Sequence, residues 1–129
     1  MISEKEIKVL DRNSEYFGVP TLQLMENAGK STAELIKSFV KNTAQSILVV
    51  CGTGNNGGDG LVAARYLSQD YIVSVFLAGP EMKTEIAKKN LQKLQNYEVK
   101  LYTTPSDLDR LLASHDVVID ALLGIGLSG

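Results

Sequence analysis

The densest chemistry in this chain lies in one loop, Cys51-Gly52-Thr53-Gly54-Asn55-Asn56-Gly57-Gly58-Asp59-Gly60, which follows the apolar run Ile47-Leu48-Val49-Val50. Glycines so closely spaced predict close approach of backbone to a ligand, because a residue without Cβ leaves its N–H group open. A helix beginning near Asp59 would add the unpaired donors of its first turn, a setting that binds phosphate. Asn55, Asn56 and Asp59 add oxygen atoms suited to a hard cation or a polar ring. Gly52 to Gly57 also satisfies the dinucleotide fingerprint G-x-G-x-x-G. That fingerprint requires an acid closing the next strand to hold ribose hydroxyls. Here the strand closes Phe76-Leu77-Ala78-Gly79-Pro80 and Asp70 precedes it, so hydride-transfer binding is demoted. Two plainer readings stand beside these: a glycine turn that serves helix and strand packing, and Asp59 as a helix cap rather than a group that moves a proton.

The elements that position this loop follow from periodicity. Ser3 and Glu6 have capping-box spacing, and Ile7, Leu10, Ser14 and Phe17 share a face, which predicts a helix over Ser3 to Tyr16. Gly18-Val19-Pro20 breaks it. Pro20 suits the first turn of a second helix that turns Leu24, Met25, Ala28, Leu35, Ile36 and Phe39 inward, with Asn42 as its end cap. Strands and helices then alternate: strand Ser46 to Cys51, helix Asp59 to Ser68, strand Tyr71 to Ala78, helix near Lys83 to Asn96, strand Val99 to Tyr102, and a short helix after Pro105. Val117-Val118-Ile119 reads as a central, doubly covered parallel strand ending in Asp120 and a second glycine loop. The result is an α/β, Rossmann-like three-layer αβα fold with a mostly parallel sheet in strand order 3-2-1-4, preceded by two N-terminal helices. Strands one and four are then neighbours, and the loops after Cys51 and Asp120 part at a topological switch point.

Composition excludes several function classes. The 129 residues are 44% hydrophobic and 22% charged, as in one globular domain, and a net charge of −2 without a basic cluster argues against nucleic acid or an anionic membrane as partner. No apolar run reaches the roughly 20 residues that span a bilayer. One cysteine and a polar start, Met1-Ile2-Ser3-Glu4-Lys5-Glu6, point to the cytoplasm. Gly29-Lys30-Ser31-Thr32 mimics the tail of a phosphate loop but lies inside an amphipathic helix. His115 reads as a surface residue and Cys51 as a small core residue. Asp107 and Asp109 read as helix-start charges, and Lys83, Lys88, Lys89 and Lys93 as a solvated face. Glu26 and Asn27 are either a polar patch on the second helix or part of the crevice lining.

Asn55-Asn56-Gly57-Gly58-Asp59-Gly60 after a buried strand resembles the signature of the NAD(P)H-hydrate epimerases, the YjeF N-terminal domain family. Leu24-Met25-Glu26-Asn27-Ala28-Gly29 and Asp120-Ala121-Leu122-Leu123-Gly124-Ile125-Gly126 resemble that family's other two landmarks, in the same order. The resemblance implies an isomerase that interconverts the R and S forms of hydrated NADH and NADPH, leaving the S epimer to an ADP- or ATP-dependent dehydratase, on the same polypeptide or apart from it. It further implies substrate binding by Asn55, Asn56, Gly57, Gly58 and Asp59 and by a second loop of Gly124, Ile125, Gly126, Leu127, Ser128 and Gly129. Potassium would be held by Asn56 and Asp120, and the protein would be a homodimer. The residue types agree: an amide oxygen and a carboxylate at adjacent strand ends suit a hard cation, and backbone N–H groups from Gly124 to Gly129 suit phosphate. Making and breaking a bond at the hydroxyl-bearing carbon requires a proton donor and acceptor, and Asp59 is the candidate within the chain.

The family's further aspartate and serine would fall beyond Gly129, and a sheet ending at the fourth strand would leave the apolar run Val117 to Ile119 as an exposed edge, which it should not be; the expectation is therefore a single domain over residues 1–129, incomplete and inactive alone, with further strands supplied from elsewhere. The alternative is a non-catalytic module of the same fold that binds a nucleotide or a protein.

Overall fold

The computed structural model describes residues 7–8, 21–123 and 126–128. In chain order the elements are β1 (Ile7–Lys8), α1 (Leu22–Phe39), β2 (Ser46–Cys51), α2 (Asn55–Leu67), β3 (Ile72–Leu77), α3 (Glu85–Leu94), β4 (Val99–Tyr102), a 3-10 turn (Pro105–Asp107), α4 (Leu108–Ser114), β5 (Val117–Ala121) and β6 (Gly126–Ser128). One sheet holds all six strands in the order β1-β6-β5-β2-β3-β4. Strands β4, β3, β2 and β5 run parallel, with Val49 beside both Val75 and Ile119, which is the expected 3-2-1-4 order. β6 lies antiparallel between β5 and β1.

Two-residue alternation in β2 explains the layers. Ile47, Val49 and Cys51 face a core shared with Ala33 and Ile36 of α1, Leu61 and Ala64 of α2, and Ala87 and Leu94 of α3. Leu48 and Val50 face the other side, where they cluster with Phe76 of β3 under Leu111 of α4. A strand buried on both faces reads as a continuous apolar run, as this one does. Leu61 and Ile119 have no exposed surface, so truncating either to Ala would cost about 2–5 kcal/mol. α1 rides on α2: Gly29 lies so close that a Cβ there would stand 2.4 Å from Val62. Within its phosphate-loop-like run, Gly29 and Thr32 are buried in helix packing while Lys30 and Ser31 face solvent.

Several sequence expectations need correction. Of the first expected helix, Ser3 to Tyr16, only Ile7 and Lys8 are described, and they form strand β1; the other residues lie outside the described set, as does Pro20. In α1 the side chain of Thr21 caps the first turn, accepting from Leu24 N–H at 3.1 Å. Met25, Ala28 and Ile36 are buried as expected, whereas Leu24, Leu35 and Phe39 are exposed, because α1 buries a stripe narrower than its apolar content. The helix ends at Val40, and Asn42 instead accepts from Ala44 N–H in a following turn. β3 and α3 each begin and end slightly inside their expected limits, and β5 extends to Ala121. As expected of so apolar a run, β5 is no edge strand, but the strand that covers it is β6 of this same chain, paired along it at Val118, Ile119 and Asp120.

The largest correction concerns α2, which starts at Asn55 rather than near Asp59. Glycines at 57 and 58 cost about 1 kcal/mol each in helix propensity, which argues for loop. Packing overrides this: a Cβ on Gly57 would stand 1.8 Å from Gly52 O, and one on Gly58 would stand 2.6 Å from Met25 Sδ. At these two positions the helix start packs against the sheet end and α1 because it carries no Cβ there.

Candidate active site

Three loops meet over the carboxyl ends of β2 and β5. Gly52 N–H donates to Ala121 O at 3.0 Å, Ala78 N–H to Cys51 O at 2.9 Å, and Lys83 N–H to Thr53 O at 2.7 Å. The loop after β2 is thus held on one flank by the loop after β5 and on the other by the loop after β3. Asn56 Nδ2 donates to Leu123 O, joining the first turn of α2 to the loop after β5. Thr84, the N-cap of α3, accepts from Ala87 N–H at 3.2 Å and donates its hydroxyl to Asn55 Oδ1 at 2.8 Å.

The first turn of α2 is rich in donors. Gly54 is the N-cap and offers no side chain, and no acid lies in the first turn. Gly58 N–H makes the first intrahelical bond, to Gly54 O at 3.1 Å, so the N–H groups of Gly54, Asn55, Asn56 and Gly57 have no partner within the helix. Such a start attracts anions. The glycines themselves work differently from the expectation. Added Cβ atoms on Gly52, Gly57, Gly58 and Gly60 would all press on protein, the last at 2.7 Å from Ala121 Cβ, whereas one on Gly54 would meet nothing within 4 Å. Packing accounts for most of the loop's glycines, and Gly54 marks the open side.

Asp59 sits in the second turn of α2 and has no exposed surface. It is therefore not the cap of the helix start.

Asp120 closes β5 opposite Val50, and its Oδ1 accepts from Leu122 N–H at 3.0 Å. Asn56 and Asp120 thus grip consecutive residues of one loop, Leu123 and Leu122. Among the described residues no hydrogen bond reaches Asn56 Oδ1 or Asp120 Oδ2. An amide oxygen and a carboxylate oxygen left with spare lone pairs form a donor set suited to a hard cation. No cluster of three or more His, Cys, Asp or Glu residues stands among the described residues. Gly124, Ile125 and Gly129 lie outside the described set; Gly126, Leu127 and Ser128 form β6 between two strands, a ladder rather than the expected loop.

The remaining sequence candidates are structural. Glu26 accepts from Arg65 and Tyr66, toward the far end of α2 from the crevice, and Asn27 accepts from Gln23 at 2.9 Å on the surface. Burial opposes ionisation of Glu26, but hydrogen bonds from Arg65 and Tyr66 outweigh it and hold the carboxyl below its usual range. Arg65 also stacks on Tyr66 and Tyr97, at 5.1 and 5.9 Å. Burial pushes the Cys51 thiol up, which fits a core residue. His115 Nδ1 lies 2.8 Å from Leu111 O at the end of α4, half-buried rather than on the surface. A cleft of about 630 Å³ lined by Ser46, Ile72, Val99, Arg110 and His115 opens at the amino ends of the strands, across the sheet from the three loops. The sequence reading missed Thr84 and the backbone roles of Lys83, which precedes α3 rather than lying on its face, and of Leu123. Thr84 was discoverable, since a threonine three residues before Ala87 at a strand-to-helix junction is a capping signal.

A protein-family model described as YjeF-related protein N-terminus matches residues 21–129. The bifunctional NAD(P)H-hydrate repair enzyme Nnr of Archaeoglobus fulgidus is 44% identical over 131 residues, covering 99% of this chain and 26% of the relative. The NAD(P)H-hydrate epimerase of Plasmodium vivax is 41% identical over 118 residues, covering 90% of this chain and 40% of the relative. Among solved structures, the yeast protein ynu0 matches with a TM-score of 0.70 at 30% identity, over 85% of this chain and 51% of its own. The chain spans about a quarter of the length of the archaeal relative.

Proposed function

The chain belongs to the YjeF-related N-terminal family, and from that premise we propose that it acts in nicotinamide-cofactor repair as an isomerase, interconverting the R and S forms of hydrated NADH and NADPH. The names of the archaeal and Plasmodium relatives support this substrate class. The observation that carries it is the meeting of three loops over one helix start: donors of Gly54 to Gly57, an amide of Asn55 held by Thr84, and acceptors of Asn56 and Asp120. Pyrophosphate oxygens would take the N–H groups of that first turn. The substrate-binding residues we assign are Asn55, Asn56, Gly57, Gly58 and Asp59, together with the residues from Gly124 to Gly129.

Potassium fits the pair Asn56 and Asp120 by the chemistry of their unspent oxygens. Bound there, it would offset the negative charge of the dinucleotide. In the full protein the S epimer would pass to a dehydratase, an arrangement consistent with relatives named as bifunctional. We place the reaction in the cytoplasm and the protein as a homodimer; no described helix is long and apolar enough to cross a membrane.

The test is to give the full-length protein the pure R epimer of hydrated NADH and follow the S epimer by chromatography, in potassium and in sodium buffers. Appearance of S epimer, faster in potassium, is expected. Binding of the hydrate without interconversion would replace the enzyme by a non-catalytic nucleotide-binding module of the same fold, and absence of binding would overturn both.

A further inference from the structure

The two adjacent asparagines of the loop are held in opposite senses. Asn56 spends its N–H on Leu123 O and keeps its oxygen. Asn55 spends its oxygen on the Thr84 hydroxyl, and its Nδ2 has no partner among the described residues and is not among the buried unpartnered atoms, so it opens to solvent. What fixes this sense is Thr84. Its oxygen accepts from Ala87 N–H as the cap of α3, and its single proton goes to Asn55 Oδ1, since in a contact between these two oxygens the hydroxyl alone can donate. The loop carrying Thr84 is itself pinned, by Lys83 N–H on Thr53 O at 2.7 Å and by Gly79, where a Cβ would stand 2.6 Å from Thr53 Cγ2.

We propose that Thr84, on the loop after β3, is a positioning residue that locks the Asn55 amide with its NH₂ group facing the crevice, making Asn55 a donor to an acceptor atom of the bound dinucleotide. With its amide reversed, Asn55 would present an oxygen to an anionic ligand and repel it. This rests on reading the crevice as the site for hydrated NADH or NADPH. It gives the third loop a role in ligand orientation, through one hydroxyl, beside the backbone bonds by which that loop holds the first.

The experiment is a double-substitution cycle in the full-length protein with Thr84→Val, Thr84→Ser and Asn55→Ala. Thr84→Val should raise KM for the hydrate about tenfold with kcat within threefold, and Thr84→Ser should restore KM. In the Asn55→Ala background Thr84→Val should leave KM unchanged, because the hydroxyl acts through Asn55. Loss of the cap lowers Tm in both backgrounds alike, so additive effects on KM would mark a merely structural role and overturn the proposal. The Asn55 side-chain amide resonances provide a readout without substrate: Thr84→Val should shift them and Thr84→Ser should not. Unmoved resonances in Thr84→Val overturn the positioning role even in an active enzyme. Shifted resonances in a protein that fails to epimerise would uphold the lock on Asn55 and overturn the epimerase reading instead.

Discussion

Asn56 donates its side-chain amide to the main-chain oxygen of Leu123, 67 residues along the chain, and this bond joins the first turn of α2 to the loop after β5. Asn56 thereby holds the switch point together with its nitrogen, and its oxygen is the one we propose for potassium. Asn56→Ala removes both functions. The expected outcome is a KM for hydrated NADH raised about 10–100-fold and a rate that no longer responds to potassium, since loss of a ligand or its orientation costs metal affinity on that order. Rates measured from low to saturating KCl, at constant ionic strength, check this; a potassium response equal to wild type would remove Asn56 from the cation site.

A steric contrast inside the same loop separates packing from ligand contact. A Cβ on Gly57 would stand 1.8 Å from Gly52 O, which must move, whereas one on Gly54 meets open space. Gly57→Ala should destabilise by about 1–3 kcal/mol or more, the usual cost of overpacking. At this chain length that lowers Tm by several degrees. Gly54→Ala should leave Tm nearly unchanged and weaken substrate binding instead, because its Cβ intrudes on the open side. Thermal melts beside KM measurements decide the matter; equal Tm losses in both variants would contradict the assignment of Gly54 to the crevice.

The parallel core was legible because Ile47 to Cys51 and Val117 to Ile119 bury both faces, which leaves a continuous apolar run in the sequence. The strand order followed from right-handed crossovers alone. The start of α2 was hidden, because Gly57 and Gly58 have poor helix propensity and are demanded only by their neighbours Gly52 and Met25. β6 was hidden too: Gly126-Leu127-Ser128 is a short, weakly patterned run, and what makes it a strand is pairing with Val118 to Asp120. At the site, residue types announced Asn55, Asn56 and Asp120, but the sense of each amide depends on Thr84 and Leu123, which no local pattern connects to them.

Glu26 supplies a prediction away from the crevice. Its carboxylate accepts from Arg65 and Tyr66 and ties α1 to α2, with side-chain exposures of 25% for Glu26 and 10% for Arg65. Burial works against the charge, yet the two donors hold the carboxyl below its ordinary value. A group whose folded value is depressed stabilises the fold fully above its unfolded value, about 4.3 for glutamate, and loses that contribution as pH falls through the folded value. Glu26→Gln should therefore lower Tm by several degrees at pH 7, from a loss of about 1–2 kcal/mol of charge-assisted bonding. The gap between Glu26→Gln and wild type should narrow as the pH falls below the unfolded value of about 4.3 and on through the depressed folded value, where wild-type Glu26 protonates as well. Melting curves of both proteins from pH 7 to pH 3 test this. A gap that stays constant across that range would mean that the charge of Glu26 adds nothing, leaving only the shape of its side chain to join the two helices.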